Sequence, residues 1–126
     1  ETNGNLLFAQ KNGNIWTAGQ IIDGSLPAVD VGQYTSLTLD KTGMGHLSYY
    51  DVTNGDLKYA TYTGGIWTVD PTAIDDAGNV GMFSSLAITS NGQVGISYYD
   101  YTNAALKFAT LNGVYPWVFI PYIVKP

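Results

Sequence analysis

The stretches SYYDVTNGDLKYAT at residues 48–61 and SYYDYTNAALKFAT at residues 97–110 are near copies, 49 residues apart. Around them, SLTLDKTGMGHLSYYDVTNGDLKYATYTGG aligns with SLAITSNGQVGISYYDYTNAALKFATLNGV without a gap. A third, partial copy opens the chain, because TNGNLLFAQKNGNIWT matches TNGDLKYATYTGGIWT. Repetition at a fixed period indicates a fold built from stacked units. The chain therefore contains half a repeat followed by two whole ones.

Each whole repeat contains four short segments with the composition of β-strands. In the first they are YTSLTLD, GHLSYYD, LKYATYT and IWTVD, separated by the turns KTG, VTNG and GG. Such runs between Gly/Asn turns predict antiparallel hairpins, and no segment has a helical period. Four strands in a repeat of about 40 to 50 residues predict a β-propeller blade. The predicted fold is all-β, a single repeat domain over residues 1–126, with a half blade at 1–32 and full blades at 33–81 and 82–126.

The repeats resemble the blades of bacterial secreted β-propellers in the sialidase-like and lectin-like group. Those blades have the form S-L-x-x-D-x-x-G-x-x-x-x-S-Y-Y-D-x-T-N-x-x-L-K-Y-A-T, which residues 36–61 follow. The resemblance covers nearly the whole chain and implies the architecture. It implies no particular activity, because one fold supports many functions. With a composition rich in Tyr, Thr, Asn and Gly, it leads us to expect an extracellular or cell-surface protein, bacterial or archaeal.

The composition argues against several classes of partner. Five basic residues, all Lys, stand against ten acidic residues, and the net charge is −5. This balance disfavours nucleic acid and anionic membrane surfaces, which both require clustered basic residues. The chain has no Cys, so disulfides and thiolate metal sites are excluded. The longest apolar run, WVFIPYIV, is too short to span a bilayer, so we expect no membrane insertion.

Catalytic residues are not predicted. Sialidases hold the substrate carboxylate with arginines, and this chain has none. Other glycoside hydrolases need two positioned carboxylates, whereas the only Glu is Glu1 and the Asp residues fall at turns. His46 is the only His, so neither a usual zinc site nor a Ser-His-Asp set can form, and we expect it to fill a blade face or to bond locally. The sequence predicts a protein that is not an enzyme.

Self-assembly is the leading functional hypothesis. Two and a half blades cannot close a propeller, and the strand NLLFAQ should present an open edge. The tail PWVFIPYIVKP is apolar, and an apolar tail in water is adhesive. We expect a homo-oligomeric ring or a filament, unless the chain is a segment of a longer propeller; alternatively, the tail folds back as the outer strand of its own blade. The predicted assembly interface comprises Leu6, Leu7, Phe8, Trp117, Phe119, Ile120, Tyr122 and Ile123.

The alternative hypothesis is a lectin-like module that binds glycans. Tryptophan recurs once per repeat, and aromatic rings pack against the apolar faces of sugars, although packing between blades explains the same recurrence. Asp51 and Asp100 follow SYY, where a carboxylate could hold sugar hydroxyls or accept amide hydrogen bonds from residues two positions on in a tight turn. The candidate ligand-binding residues are Trp16, Trp67, Asp51 and Asp100.

The segment AIDDAGNVG, residues 73–81, is the most polar connection between blades. In a propeller it lies on the same face as the turns that contain Asp51 and Asp100. Asp75, Asp76 and Asn79 could therefore join one of those residues, and grouped oxygen ligands bind calcium. The spacing matches no EF-hand loop, and an exposed acidic loop is the commoner outcome. No cofactor is otherwise expected.

Overall fold

The computed structural model describes residues 4–111 and 119–122, and none of these residues lies in a helix. No described helix could therefore cross a membrane. The strands of the described residues are β1 (Leu6–Phe8), β2 (Lys11–Asn12), β3 (Ile15–Trp16), β4 (Gln20–Asp23), β5 (Val31–Leu39), β6 (Gly45–Asp51), β7 (Asp56–Thr63), β8 (Ile66–Val69), β9 (Val80–Ile88), β10 (Val94–Asp100), β11 (Ala105–Leu111) and β12 (Phe119–Tyr122).

The strands form three successive antiparallel units. In the first, called the half blade, β1 pairs with β4 and β2 pairs with β3. The middle blade has the strand order β5-β6-β7-β8, and the last blade has the order β12-β11-β10-β9. The predicted fold class is confirmed: the chain is all-β, with two four-stranded antiparallel sheets of the blade type. The described strands do not close into a ring.

Two glycines at equivalent positions allow neighbouring blades to approach closely. Gly32 and Gly81 lie near the starts of β5 and β9 and have φ angles of 94° and 106°. A Cβ atom on Gly32 would lie 2.8 Å from the Cβ of Leu6, and one on Gly81 would lie 2.8 Å from the Cα of Leu57. Both the backbone conformation and the contact therefore require glycine.

The apolar core lies between the blades. Side chains alternate along each strand, so a blade packs one set of residues against the preceding blade and the other set against the following one. The junction of the half blade with the middle blade buries Leu6, Val31, Leu47, Tyr49 and Ala60. The junction of the middle blade with the last blade buries Leu57, Tyr59, Ile74, Val80, Leu86, Val94, Ile96, Tyr98, Ala109 and Leu111.

The predicted assembly interface needs correction at its N-terminal strand. β1 pairs with β4 and has no second partner among the described strands, so its edge is open as expected. The side chain of Leu6, however, is buried in the first junction, and the ring of Phe8 packs on Tyr62 and Trp67. Since both belong to the chain's own packing, of the three residues only Leu7 is largely exposed.

The described part of the tail, Phe119–Tyr122, follows the alternative in which the tail is the outer strand of its own blade. Phe119–Tyr122 forms β12 and pairs with β11, with Ile120 opposite Thr110 and Tyr122 opposite Phe108. The backbone of Phe119, Ile120 and Tyr122 thus completes the last blade as its outer strand, and docking of these residues on another chain is not needed to pair them. Trp117 and Ile123 lie outside the described residues.

Candidate functional site: the junctions between blades

An Asp–Tyr–Lys cluster joins the half blade to the middle blade. Tyr49 and Lys58 are opposite each other on β6 and β7, so their side chains leave the sheet on the same face. The Tyr49 hydroxyl donates to Oδ2 of Asp23 at 2.7 Å, and Lys58 Nζ donates to the same oxygen at 2.5 Å. Asp23 ends β4, so its carboxylate connects two blades.

The same cluster recurs between the middle and last blades. Tyr98 and Lys107 face each other on β10 and β11. Both donate to Oδ2 of Asp75, the hydroxyl at 2.7 Å and the ammonium at 2.8 Å. Lys107 also lies 3.2 Å from Oδ2 of Asp100. The second cluster is thus more buried and has one carboxylate more than the first.

The electrostatics of the clusters keep the phenols neutral. Burial raises the pKa of Tyr49, and its hydrogen bond to the Asp23 carboxylate raises it further. Burial and Asp75 do the same for Tyr98. Burial would lower the pKa of Lys107, but Asp75 and Asp100 together raise it. The tyrosines therefore remain donors and the lysine remains a cation, which suits holding blades together rather than transferring protons.

Asp51 and Asp100 are occupied by their own turns. Oδ1 of Asp51 accepts from the amide of Asn54 at 3.1 Å, and Oδ2 accepts from the Asn54 side chain at 2.9 Å. Asp100 makes the same two bonds to Asn103, at 2.9 and 2.8 Å. The predicted role in a turn is confirmed. Each carboxylate accepts from the amide of the residue three positions further along the chain, rather than two. Both carboxylates are buried and bound to their own turns, and sugar binding by them stays a prediction.

The acidic connection reaches the position that the sequence predicted, next to Asp100. Asp75 approaches Asp100 as expected, with Lys107 bound between them. Asn79 accepts a hydrogen bond from the Tyr50 hydroxyl at 2.7 Å, and Asp76 is exposed. Within residues 4–111 and 119–122, no three His, Cys, Asp or Glu side chains group as metal ligands. An ammonium group bound to the central carboxylate does not fit a calcium site.

His46 bonds locally on the face of the middle blade that meets the last blade. Its Nδ1 atom forms a hydrogen bond with the Tyr59 hydroxyl. Its Nε2 atom lies 3.6 Å from Oδ2 of Asp40, which is beyond hydrogen-bond length. The side chain is buried, as expected of a residue that fills a blade face.

The tryptophans have different surroundings. Trp67 is partly buried, and its ring lies 5.2 Å from Phe8 and 5.1 Å from Tyr62. Its ring thus packs between blades, and sugar binding by Trp67 stays a prediction. Trp16, at the equivalent position of the half blade, is 64% exposed. No full blade lies against it in the described residues, so its ring face is accessible.

A cleft of about 400 Å³ opens beside the outer strands of the middle blade. It was not predicted from the sequence, because its lining is formed by side chains of β7, β8 and the loop after β8 that come together only when the hairpin is folded. The alternation of Tyr59 with Thr61 and the loop Asp-Pro-Thr after the fourth strand are the only local signals. The described lining residues are Tyr59, Thr61, Thr68, Val69, Asp70, Pro71 and Thr72.

A second cleft, of about 320 Å³, lies between the first turns of the middle and last blades. It combines the Asp40 turn with the Thr89 turn. Oδ1 of Asp40 accepts from the amides of Thr42 and Met44 at 2.8 and 3.0 Å, so this carboxylate stabilises its own turn. The first cleft is the better candidate for a ligand.

Comparison with known proteins gives a fold neighbour and no family. No family model and no curated protein matches the chain. Among solved structures, the chain is similar to that of a fucose lectin from Kordia zhangzhouensis in complex with methyl-fucoside. The sequences are 21% identical, the match covers 95% of this chain and 83% of the lectin, and the TM-score is 0.51. At this identity the likeness shows a shared fold.

Proposed function

We propose that the chain is a lectin-like module that binds a carbohydrate without transforming it. The observation that carries the proposal is a cleft with both apolar and hydroxyl-bearing walls, in a fold similar to that of a fucose lectin. The repeated sequence pattern, similar to that of secreted bacterial β-propellers, supports an extracellular or cell-surface location. Sugar binding replaces self-assembly as the leading hypothesis, and self-assembly becomes the second candidate.

The chemistry of the cleft suits a single sugar unit. Ligand pockets have volumes of roughly 300 to 1,000 Å³, so a cleft of about 400 Å³ is large enough for a monosaccharide. Val69 and Pro71 offer apolar surface to the C–H face of a sugar. Thr61 and Thr68, opposite each other on β7 and β8, offer hydroxyl groups. A deoxy sugar with a methyl group, such as fucose, presents the matching combination of apolar and hydroxyl surface.

Asp70 is the residue that we expect to hold the sugar hydroxyls. Its Oδ1 atom accepts from the amide and the hydroxyl of Thr72, at 3.1 and 2.9 Å, which fixes the side chain. Its Oδ2 atom has no hydrogen bond to any described residue and is available as an acceptor. Hydrogen bonds to a charged group contribute about 1.5 to 3 kcal/mol, more than bonds to a neutral one. The described lining holds this one carboxylate, whereas glycoside hydrolysis requires two.

The test is glycan binding by the wild type and an Asp70→Asn variant. A glycan screen that includes fucosides identifies a ligand, and calorimetric titration measures its affinity. Asn keeps an oxygen for Thr72 but removes the charge, so we expect affinity to fall roughly tenfold. Asp76→Asn, which removes a charge from an exposed loop, is the matched control and should bind normally. Equal affinity of all three proteins would place the ligand elsewhere, and a wild type that binds no glycan would refute the proposal.

Self-association is the second candidate function, and one observation favours it. β1 has a strand partner on one side only in the part of the chain that the structure describes. An unpaired strand edge can recruit another chain through backbone hydrogen bonds. We propose a homo-oligomer on this ground, and measurement of the particle mass in solution tests it.

A further inference from the structure

The first and last blades expose side chains whose repeat equivalents are covered at a junction between blades. Leu57 and Tyr59 of the middle blade are 0% and 1% exposed, because the last blade covers them. Their equivalents in the last blade, Leu106 and Phe108, are 70% and 43% exposed. These two residues project from the same side of β11 and define what we call the front face. The ring of Phe108 lies over Gly95, and because glycine has no side chain, this residue does not cover the ring.

The opposite end of the series has a corresponding exposed surface. Leu7 and Trp16 of the half blade are 56% and 64% exposed and define the rear face. Their equivalents in the middle blade are Lys58, which contacts the half blade through Asp23, and Trp67, whose ring packs on Phe8. The rear face is therefore the side on which a preceding blade would pack.

We propose that a second copy of this chain docks its rear face on the front face of the first. Within the chain, Phe8 on one blade contacts Trp67 on the next, with ring centroids 5.2 Å apart. Phe108 is the repeat equivalent of Phe8, and Trp16 is that of Trp67. Docking of Trp16 from one copy against Phe108 of the other therefore reproduces a contact that the fold already uses. The proposal rests on the proposed self-association and specifies its surface.

The charges of the two faces match a copy of this chain. At each internal junction a Lys from one blade meets an Asp from the connection before it, as Lys58 meets Asp23 and Lys107 meets Asp75. At the equivalent position of the half blade the residue is Leu7, an apolar side chain in place of the lysine. A lone buried charge would be costly, so Leu7 suits direct apolar contact between the faces.

The proposed contact is heterologous, since a front face meets a rear face. Each added copy presents a new front face, so assembly continues unless the ring closes. The exposed Leu37 and Leu39 lie on strand β5 of the middle blade, away from both the front face and the rear face. They are not part of the proposed interface.

Sedimentation velocity over a range of concentrations tests the proposal with two single variants. Trp16→Lys disables the rear face, and Phe108→Asp disables the front face; both sites are exposed, so the fold should tolerate them. We expect the wild type to sediment above its monomer mass of 13.6 kDa and each variant to remain a monomer. Ile66→Lys, at a residue exposed on a hairpin but outside both faces, is the control and should assemble like the wild type.

Mixing the two variants decides the geometry. The mixture retains one intact front face and one intact rear face, so it should form a 1:1 dimer and nothing larger. If the variants still self-associate, the faces are wrongly assigned, although self-association stands. If their mixture stays monomeric, the contact is not front to rear. A wild type that is a monomer at all concentrations refutes self-association itself. If circular dichroism shows Phe108→Asp to be unfolded, Leu106→Asp replaces it.

Discussion

At the scale of single residues, the two lysines of the junction clusters differ in surroundings. Lys107 is nearly buried and is bound by both Asp75 and Asp100. Lys58 is more exposed and is bound by Asp23 alone. Removing the buried cation leaves two carboxylates close together without compensation, whereas removing the exposed one leaves a single carboxylate that water can reach. The two substitutions should therefore differ in cost.

We expect Lys107→Met to lower the free energy of unfolding by about 3 kcal/mol, the cost of breaking a buried ion pair. Lys58→Met should lower it by about 1 kcal/mol, as is typical of a partly exposed pair. Met retains most of the length and apolar surface of the lysine stem. Urea denaturation of the two variants and the wild type measures the difference. Equal losses would mean that burial of the second cluster does not add to its contribution.

The ion pairs themselves could not be predicted from the sequence. The repeat places both lysines in the same segment, LKYAT or LKFAT, and the turns of Asp51 and Asp100 follow from local preferences. The partners Asp23 and Asp75, however, lie 35 and 32 residues away in the preceding connections. No local pattern marks such a contact, because it depends on how two blades pack.

At the scale of elements, the turn between the second and third strands has a glycine in the middle blade where the last blade has an alanine. TNGD in the middle blade places Gly55 at φ 79°, and TNAA in the last blade places Ala104 at φ 50°. Both angles lie in the left-handed region, which costs a residue with a Cβ atom roughly 1 to 2 kcal/mol. The last blade thus retains a strained alanine where the middle blade has a glycine.

Ala104→Gly should raise the free energy of unfolding by about 1 kcal/mol, and Gly55→Ala should lower it by a similar amount. A Cβ atom on Gly55 would meet its nearest neighbour at 3.5 Å, an ordinary contact, so backbone strain alone sets the cost. Thermal denaturation of both variants provides the measurement. Ala77→Gly, at an exposed alanine without a positive φ angle, is the control and should not stabilise. The prediction fails if Ala104→Gly is no more stable than the wild type.

Strands and hairpins were largely predictable because the repeat supplies the same local signals twice. GHLSYYD coincides with β6, Gly45–Asp51, and LKYATYT covers all but the first residue of β7, Asp56–Thr63. The cleft beside the middle blade was not predictable, since its residues converge only when β7, β8 and the following loop are in place. Repetition thus predicts the strands well, but it does not predict a cleft that forms between side chains of two strands and a loop.

At the scale of the whole molecule, the sequence predicted the assembly surface in the tail and the first strand, and this stays a prediction. The described tail residues complete the last blade, and Leu6 is buried. The outward faces of the first and last blades carry exposed apolar residues, represented by Trp16 and Phe108. A repeat alignment shows which positions are equivalent, but only the structure shows which of them a neighbouring blade covers.

Acid stability also belongs to the whole molecule, because several carboxyl groups contribute with opposite signs. Hydrogen bonds from Thr42 lower the pKa of Asp40 to about 2. Burial would raise the pKa values of Asp23 and Asp100, but bonds to Lys58 and to Asn103 and Lys107 outweigh it and lower them. For Asp56, burial and the neighbouring Asp51 raise the pKa.

We expect the free energy of unfolding to fall as the pH is lowered from about 5 to about 2. A carboxyl group with a lowered pKa binds its proton more readily in the unfolded chain, so its contribution is present above its unfolded pKa of 3.8 and is lost as the pH falls toward the folded value. Asp56 has the opposite effect, since its contribution to stability is lost as the pH rises through its raised pKa. We expect the three carboxyl groups with lowered pKa values to outweigh this one. Urea denaturation at a series of pH values measures the slope.

Asp40→Asn should flatten the curve below pH 4, because the group with a pKa of about 2 no longer titrates. Stability that stayed constant or rose on acidification would show that like-charge repulsion around Asp56 outweighs the three stabilised carboxylates.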